Sequence, residues 1–293
     1  MVMKRIIHLP HFSFLLSHFT FLLVLLFVAC DKISPDEYTA ASGADSGTGD
    51  WTNGGTQYAL VEKYTGPRCT NCPAADVTLD ALHAQFGDKL IVISINHPVG
   101  QGEPFPNQPD MRTAAGTAWD QYFGINAIPA ALLNRDRTKS FSGTMENLGN
   151  AIAAVVGSEP VIRLDLTAEA DTASRQLDIT AAIHLYSDIE TPLTLTLALT
   201  EDSLVYRQST SESIVPDYVH NHMLREVITA TWGDEVPLSG VAGEEKQKHF
   251  TYTVANPDIR LENCHVVGFL SRKDNRTVLN SAQQTVSITS VTE

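Results

Sequence analysis

Ten residues in the first third of the chain read Tyr64-Thr65-Gly66-Pro67-Arg68-Cys69-Thr70-Asn71-Cys72-Pro73. They place two cysteines two residues apart, after an apolar run typical of a strand and before a run with helical spacing. A cysteine at the start of a helix can have a lowered thiol pKa, because unpaired backbone N–H groups and the helix dipole favour the thiolate. The stretch therefore predicts a thiol–disulfide site in which Cys69 is the nucleophile and Cys72 attacks the mixed disulfide.

The segments around the cysteine pair predict an α/β unit. A strand is expected at residues 58–64 and a helix at 74–86. Residues 90–96 form a nearly continuous β-branched run, which suits a parallel strand buried on both faces. After a loop rich in Pro and Gly, the patterns predict a helix at 111–122, a strand that follows Ile128-Pro129, a hairpin partner at 139–141 and a closing helix at 145–156.

The C-terminal half has a different pattern. Apolar and polar residues alternate in short runs that are separated by turn residues, at 162–167, 177–185, 193–199, 250–254, 266–270 and 286–288. This period of two predicts an antiparallel β-sandwich of the immunoglobulin-like type. The expected boundary lies near 157–160, which divides the folded part into an α/β domain at 57–157 and a sandwich domain at 158–293.

The N-terminus carries the signs of export. Two basic residues precede an uncharged, largely apolar run that ends at Ala29, which predicts a lipoprotein signal peptide at residues 1–29. A membrane-spanning helix is the alternative, but polar residues dilute the first half of the run. The small residue followed by Cys30 resembles a bacterial lipobox, which implies lipidation of Cys30. The Ser-, Gly- and Asp-rich residues 30–56 are expected to form a flexible tether.

The composition limits the partners. The formal net charge is −14, and removal of a signal segment that holds two basic residues and no acidic one leaves −16. Such a chain repels phosphate backbones, so nucleic acid is excluded as a partner, and no cofactor is predicted. The expected partners are a membrane, reached through the N-terminal lipid anchor, and exported proteins or a surface complex.

Other interpretations of the cysteine pair stay open. The pair could be half of a zinc site, but structural zinc needs four ligands, and the candidates are His83, His97 and the distant Cys264. It could also be an inert disulfide that fastens the helix start, since exported cysteine pairs tend to oxidise. Two free, buried thiols are the remaining alternative.

Two features of the C-terminal half are singled out for their chemistry. Cys264 precedes an apolar run and is expected to be a buried thiol. If His220 and His222, which stand two apart, lay on one strand, they would share a face and could hold a metal ion. Because no third ligand is nearby in the sequence, we favour a hydrogen-bonding or domain-contact role for both.

Residues 58–156 resemble a thioredoxin-like domain. The resemblance rests on the order of the elements, on the Cys-x-x-Cys motif at a helix start, and on Gly-Ile-Asn-Ala-Ile-Pro before a strand. It implies that the Ile128–Pro129 peptide is cis and that Pro129 faces the cysteine pair. It also implies that the backbone of Ile128 is offered to an extended peptide substrate.

The sequence departs from that pattern at two positions. Arg68 replaces the aromatic residue that thioredoxins carry before the first cysteine, and its charge could stabilise a Cys69 thiolate and contact a substrate. Lys63 replaces the buried acid of the preceding strand, with Glu62 facing the other way. An inward Lys63 would favour a thiolate and a more oxidising pair.

A narrower resemblance covers nearly the whole mature chain. Residues 62–66 leading into the cysteine motif, the lipobox, and residues 220–225 in the β-rich half resemble the outer-membrane protein 28-related lipoproteins. This family implies an outer-membrane lipoprotein with a thioredoxin-like module. Two hypotheses about function remain: thiol–disulfide exchange on exported proteins, or a non-enzymatic surface binding or structural role in which the cysteines form a structural disulfide.

Overall fold

The computed structural model describes residues 55–190 and 192–289. The expected signal peptide, the lipidation site Cys30 and nearly all of the tether lie outside the described residues, so these remain predictions. None of the helices in the described part of the chain is both long and apolar enough to cross a membrane.

The first half contains the expected βαβ unit. Strands β1 and β2 pair in parallel, with Ala59 beside Leu90 and Thr65 beside Asn96, and every residue of both strands is buried. Helix α1 begins at Cys72, two residues earlier than predicted, with Pro73 in its first turn, where a missing N–H costs no hydrogen bond. The elements of this half are β1 (Ala59–Thr65), α1 (Cys72–Phe86), β2 (Leu90–Asn96), α2 (Ala114–Phe123), β3 (Ala130–Leu133), β4 (Ser140–Ser142) and α3 (Leu148–Val156).

The second half is built of strands, as predicted. The long alternating runs correspond to strands, but five strands of this half (β8, β9, β10, β11 and β14) were not predicted. The strands are β5 (Ile162–Asp171), β6 (Gln176–Leu185), β7 (Leu193–Glu201), β8 (Leu204–Ser209), β9 (Ile214–His220), β10 (Met223–Val227), β11 (Asp234–Val236), β12 (Glu245–Thr253), β13 (Cys264–Arg272), β14 (Val278–Thr285) and β15 (Ser287–Thr289).

One sheet runs through both halves. Its strand order is β14-β13-β7-β10-β2-β1-β3-β4, with β11 added beside β7. The junction is the parallel pair of β10 and β2, where Met223 lies beside Ser94 and the N–H of Ser94 donates to the carbonyl of His222 at 2.7 Å. The expected division at 157–160 therefore falls within a chain whose two parts share a sheet, and their independence as folding units stays a prediction.

A second, four-stranded sheet of order β12-β6-β5-β15 packs on the C-terminal part of the large sheet. The edge strand β15 runs parallel to β5, although the pattern predicted antiparallel pairing throughout. Strand β7 is buried on both faces, whereas its alternation of Leu and Thr predicted one polar face in water. The reason is helix α2: Ala198, on the same face as Thr196, packs in one cluster with Trp119 of that helix.

A buried ion pair of the first half lies at its contact with the second half. Arg135 and Glu62 are 1% and 0% exposed, and the Nε and Nη2 atoms of Arg135 donate to Glu62 Oε1 at 3.0 and 2.6 Å. The guanidinium also lies 4.2 Å from the ring centre of Trp119 and 4.4 Å from that of Phe269. Because Phe269 belongs to β13, one cation contacts residues from both halves of the chain.

Candidate functional site

The cysteine pair lies in the turn that joins β1 to α1. Cys69 and Cys72 form a disulfide, and Cys72 is the first residue of the helix. The N–H of Cys69 donates to the carbonyl of Gly66 at 3.0 Å, and the N–H of Cys72 donates to the carbonyl of Cys69 at 3.3 Å. The motif is therefore placed as the sequence predicted, at the N-terminus of a helix after a buried strand.

The disulfide is covered. Both cysteines are 1% exposed, and the β8–β9 hairpin from the second half of the chain bonds to the turn that carries them. The buried Gln208 donates from Nε2 to the carbonyls of Cys69 at 2.9 Å and Gly66 at 3.3 Å, and the N–H of Ser209 donates to the carbonyl of Pro67 at 2.8 Å. This contact could not be predicted from the sequence, because nothing in residues 204–220 marks them as partners of a turn so distant in the sequence.

A loop after β2 closes the opposite side of the turn. The N–H of Arg68 donates to the carbonyl of Gln101 at 3.0 Å. The two backbones approach so closely that a Cβ on Gly66 would lie 2.3 Å from the Gln101 carbonyl oxygen, and one on Gly102 would lie 1.8 Å from that of His97. Glycine is thus required at both positions for steric reasons.

The Arg68 side chain is held by the same loop. Its Nη2 donates to the carbonyl of Pro104 at 2.5 Å, and its guanidinium lies 5.6 Å from the centre of the Phe105 ring. These contacts hold the positive charge of Arg68 against the loop. The roles predicted for Arg68, in stabilising a Cys69 thiolate and contacting a substrate, stay predictions.

The Ile128–Pro129 peptide is cis, as the resemblance implied. Strand β3 begins directly after Pro129 and runs antiparallel to β1, with Ala130 beside Tyr64. Pro129 therefore lies at the end of the sheet from which the cysteine turn leaves β1. Its carbonyl accepts the N–H of Gly143 at 3.1 Å.

A buried polar chain lies one helical turn beyond Cys72. Lys63 points inward, is 6% exposed and forms an ion pair with Asp76 of α1, whose other oxygen accepts the hydroxyl of Tyr218 from β9 at 2.7 Å. Burial and the adjacent Asp76 carboxylate raise the pKa of the Tyr218 phenol. Sequence reasoning identified Lys63 but missed Asp76. The available signal was its position, four residues after Cys72, on the same face of the helix.

Beside this chain is a small cavity of about 60 Å³ that is lined by residues from β1, α1 and the end of β9. His220 contributes to its wall, and its buried Nε2 atom has no hydrogen-bond partner among the described residues. Burial, and then the charge of Lys63, lower the pKa of His220 to about 4. Other polar side chains in the wall are Asp76, Asp80, His83, Tyr218 and His222.

The two histidines do not lie on one strand, so they do not share a strand face. Strand β9 ends at His220 and β10 begins at Met223, so His222 lies in the intervening turn with a φ of 59°. The Nδ1 atom of His222 is 3.5 Å from an Asp202 carboxylate oxygen. Its backbone carbonyl makes the bond to Ser94 described above, which is a contact between the two halves. Within the described residues, no group of three or more His, Cys, Asp or Glu side chains is placed to hold a metal ion.

The remaining cysteine is buried, as predicted. Cys264 is 0% exposed, and its Sγ atom donates to the carbonyl of Arg260 at 3.2 Å. Burial, and then the nearby Glu201 carboxylate, raise the pKa of the Cys264 thiol to about 12. A thiol in this setting is inert.

Comparison with known proteins identifies the family to which the chain belongs. No curated protein sequence matches the chain. Among solved structures, HBP35 of Porphyromonas gingivalis has a similar fold, with a TM-score of 0.66 and 16% identity over 81% of this chain and 78% of that chain. A domain of the outer membrane lipoprotein Omp28 from Porphyromonas gingivalis aligns with 44% of this chain and 90% of its own length, at 17% identity and a TM-score of 0.32.

The family model of outer membrane protein Omp28 matches residues 116–290. This range contains the unpredicted β8–β9 hairpin and the cis-proline, and it begins after the cysteine pair. The match covers more than half of the chain, and the protein therefore belongs to the Omp28 family of outer membrane proteins.

Proposed function

We propose that this protein is a lipid-anchored outer-membrane lipoprotein with a non-enzymatic binding or structural role, in which a thioredoxin-like module is a scaffold and Cys69–Cys72 is a structural disulfide. The observation that carries the proposal is that both cysteines are 1% exposed beneath the β8–β9 hairpin. A thiolate can exchange with a disulfide only when it reaches one of the sulfurs. In the covered arrangement neither sulfur is presented to a substrate.

The supporting residues favour the same conclusion. Gln208 uses its amide to bind the backbone of the cysteine turn, and Arg68 is engaged by Pro104 and Phe105. The guanidinium of Arg68, which was expected to contact a substrate, is therefore already bound within the chain. Since the family match begins at residue 116, membership itself carries no information about the cysteines.

Thiol–disulfide exchange is the second candidate. Two observations favour it: the Cys-x-x-Cys motif stands at a helix N-terminus, and the Ile128–Pro129 peptide is cis at the same end of the sheet. These are the two features on which the thioredoxin-like resemblance rests. Exchange would require that the β8–β9 hairpin leave the cysteine turn.

A double substitution, Cys69→Ser with Cys72→Ser, separates the two candidates. For a closed loop this short, the chain-entropy relation predicts a loss of about 2 kcal/mol in the free energy of unfolding, so the variant should still fold. We expect the unsubstituted protein and the variant to catalyse reduction of a disulfide peptide equally poorly, at the rate of the reductant alone. Turnover by the unsubstituted protein that the double variant lacks would establish exchange instead.

The anchor is tested at Cys30. We expect Cys30→Ala to release the protein from the outer-membrane fraction, because lipidation is the proposed means of attachment. The matched control is Cys264→Ala, which removes a cysteine that lies buried in the fold. Fractionation and intact-mass measurement of the lipid adduct check the result. Retention of the Cys30→Ala protein in the membrane without an adduct would contradict the anchor.

A further inference from the structure

We propose that the β8–β9 hairpin, residues 204–220, is a latch that opens locally while the rest of the chain stays folded, and that the Cys69–Cys72 disulfide is reduced only from the open form. The proposal goes beyond the scaffold role and does not depend on it. A disulfide beneath such a latch can be a structural bond that is protected from reduction, or a reactive bond whose access the latch controls.

The hairpin has a neck at which it can bend. Strand β8 continues from β7 and strand β9 leads into β10, and β7 and β10 are themselves paired in the large sheet. Ser203 separates β7 from β8, and His222 lies between β9 and β10. Each residue has a left-handed backbone conformation with a φ of 59°. The neck is closed by two short bonds: Ser203 N–H to Asn221 Oδ1 at 2.9 Å, and His222 N–H to Asp202 Oδ1 at 2.6 Å.

Beyond the neck, few strand-pairing and apolar contacts oppose the opening of the latch. Among the described residues, β8 and β9 pair as strands only with each other, and a two-stranded hairpin is only marginally stable by itself. Val205, Ile214 and Val219 are 51%, 54% and 50% exposed, so much of the apolar surface of the latch is already in water. Segments of this kind open at a lower free energy than the core.

Three sets of polar contacts hold the latch on the first half, one of which is the bond from the N–H of Arg207 to Gln108 Oε1 at 3.2 Å. At its tip side, Gln208 and Ser209 bind the carbonyls of the cysteine turn. Nearer the neck, the Tyr218 hydroxyl binds Asp76, which is paired with Lys63. Gln208 is 2% exposed, so it bonds the turn without competition from water. The apolar contact between the latch and the first half is small: Leu204, with Tyr206 beside it, clusters with Met111 and with Met223 of β10.

Reduction reports the open form because it requires direct access. A thiolate of dithiothreitol attacks one sulfur along the S–S bond, which breaks and leaves a mixed disulfide and one cysteine thiolate. The second thiol of the reagent then displaces the other cysteine and closes a cyclic disulfide. The reagent loses two electrons and two protons, and the protein gains two thiols.

The experiment measures the rate at which dithiothreitol reduces the disulfide in the full chain, with alkylation and mass measurement as readout. Gln208→Ala is expected to raise this rate about tenfold, because two bonds of ~0.7 kcal/mol each favour the closed form. Tyr218→Phe should raise it about threefold to tenfold. The control is Arg207→Ala, on the same strand with an exposed side chain, which should change the rate less than twofold.

Local opening is distinguished from global unfolding by urea. If the latch opens alone, the rate of reduction rises with urea far less steeply than the unfolding equilibrium constant, since little surface is exposed. Hydrogen exchange of the unsubstituted protein provides the check that needs no variant: amides of β8 and β9 should exchange through this shallow opening. Equal slopes for reduction and unfolding, or equal rates for Gln208→Ala and Arg207→Ala, would overturn the latch. Substrate turnover and anchoring, which test the proposed function, are unaffected by either outcome.

Discussion

Replacing Arg135 with methionine is expected to lower the free energy of unfolding by about 3–5 kcal/mol. The guanidinium is 1% exposed and neutralises Glu62, which is 0% exposed, so the substitution leaves a buried carboxylate without its counter-charge. Within the part of the chain that the structure describes, the second oxygen of that carboxylate, Oε2, already has no hydrogen-bond partner. Loss of the contacts with Trp119 and Phe269 adds to the effect, because those rings come from α2 and β13.

Two further variants make the Arg135 result specific. The double variant Glu62→Leu with Arg135→Met should recover most of the lost stability, since replacing both members of a buried pair by apolar residues is often neutral. Arg112→Met is the surface control: Arg112 pairs with Asp110 at 2.6 Å, but both side chains are partly in water, so the loss should stay below about 1 kcal/mol. Urea unfolding measures all three. Equal losses for Arg135→Met and Arg112→Met would show that burial does not make the Arg135–Glu62 pair more important for stability than a surface pair.

Acidification from pH 6.5 towards pH 4 is expected to weaken the fold through His220, whose pKa is lowered from 6.5 to about 4. In this window the unfolded chain binds a proton at His220 and the folded chain does not. The free energy of unfolding therefore falls as the pH falls, by on the order of 2–3 kcal/mol across the window, and the contribution is fully present above pH 6.5. The charged or titratable groups around the imidazole are Lys63, Asp76, Asp80, His83, Tyr218 and His222.

The variant His220→Gln isolates this contribution from the carboxylates that titrate in the same range. Its free energy of unfolding should depend less steeply on pH than that of the unsubstituted protein between pH 4 and 6.5. His249→Gln is the control, because the His249 side chain is 61% exposed, and it should leave the pH dependence unchanged. Parallel curves for the unsubstituted protein and His220→Gln would mean that His220 is not held neutral by the fold.

The local parts of the fold could be predicted from the sequence. The βαβ unit, the helix at the cysteine pair and the β3–β4 hairpin depend on periodicity and turn residues within short windows, and the structure has each of them. The cis peptide at Pro129 followed from a family resemblance and is also present. These features are encoded by neighbouring residues, which is why pattern and propensity suffice.

The long-range parts could not be predicted. The pairing of β10 with β2 joins segments that are far apart in sequence, and neither strand carries a mark that selects the other. The same is true of the Glu62–Arg135 pair and of Gln208 above Cys69, whose members are separated by 73 and 139 positions. The alternation of Leu and Thr in β7 predicted a Thr face in water, but that face is buried. The pattern cannot distinguish the two cases, because threonine suits both water and a packed sheet.

At the candidate site, too, the local features could be predicted from the sequence and the long-range contacts could not. The positions of Cys69 and Cys72 on their turn were predictable, and Lys63 was recognised as unusual on its strand. What decides their chemistry comes from elsewhere: the latch supplies Gln208, and β9 supplies Tyr218 to the Lys63–Asp76 pair. A Cys-x-x-Cys motif therefore indicates where sulfur chemistry can occur, and the surrounding structure determines whether a substrate can reach it.

The reduction potential of the Cys69–Cys72 pair tests the central claim most directly. The full chain would be equilibrated with dithiothreitol buffers of known potential, and the fraction of free thiol would be measured after rapid alkylation. A structural disulfide held by the fold should have a potential below about −300 mV. A value between about −270 and −120 mV, the range of thioredoxins and their oxidising relatives, would contradict the structural assignment and favour thiol–disulfide exchange.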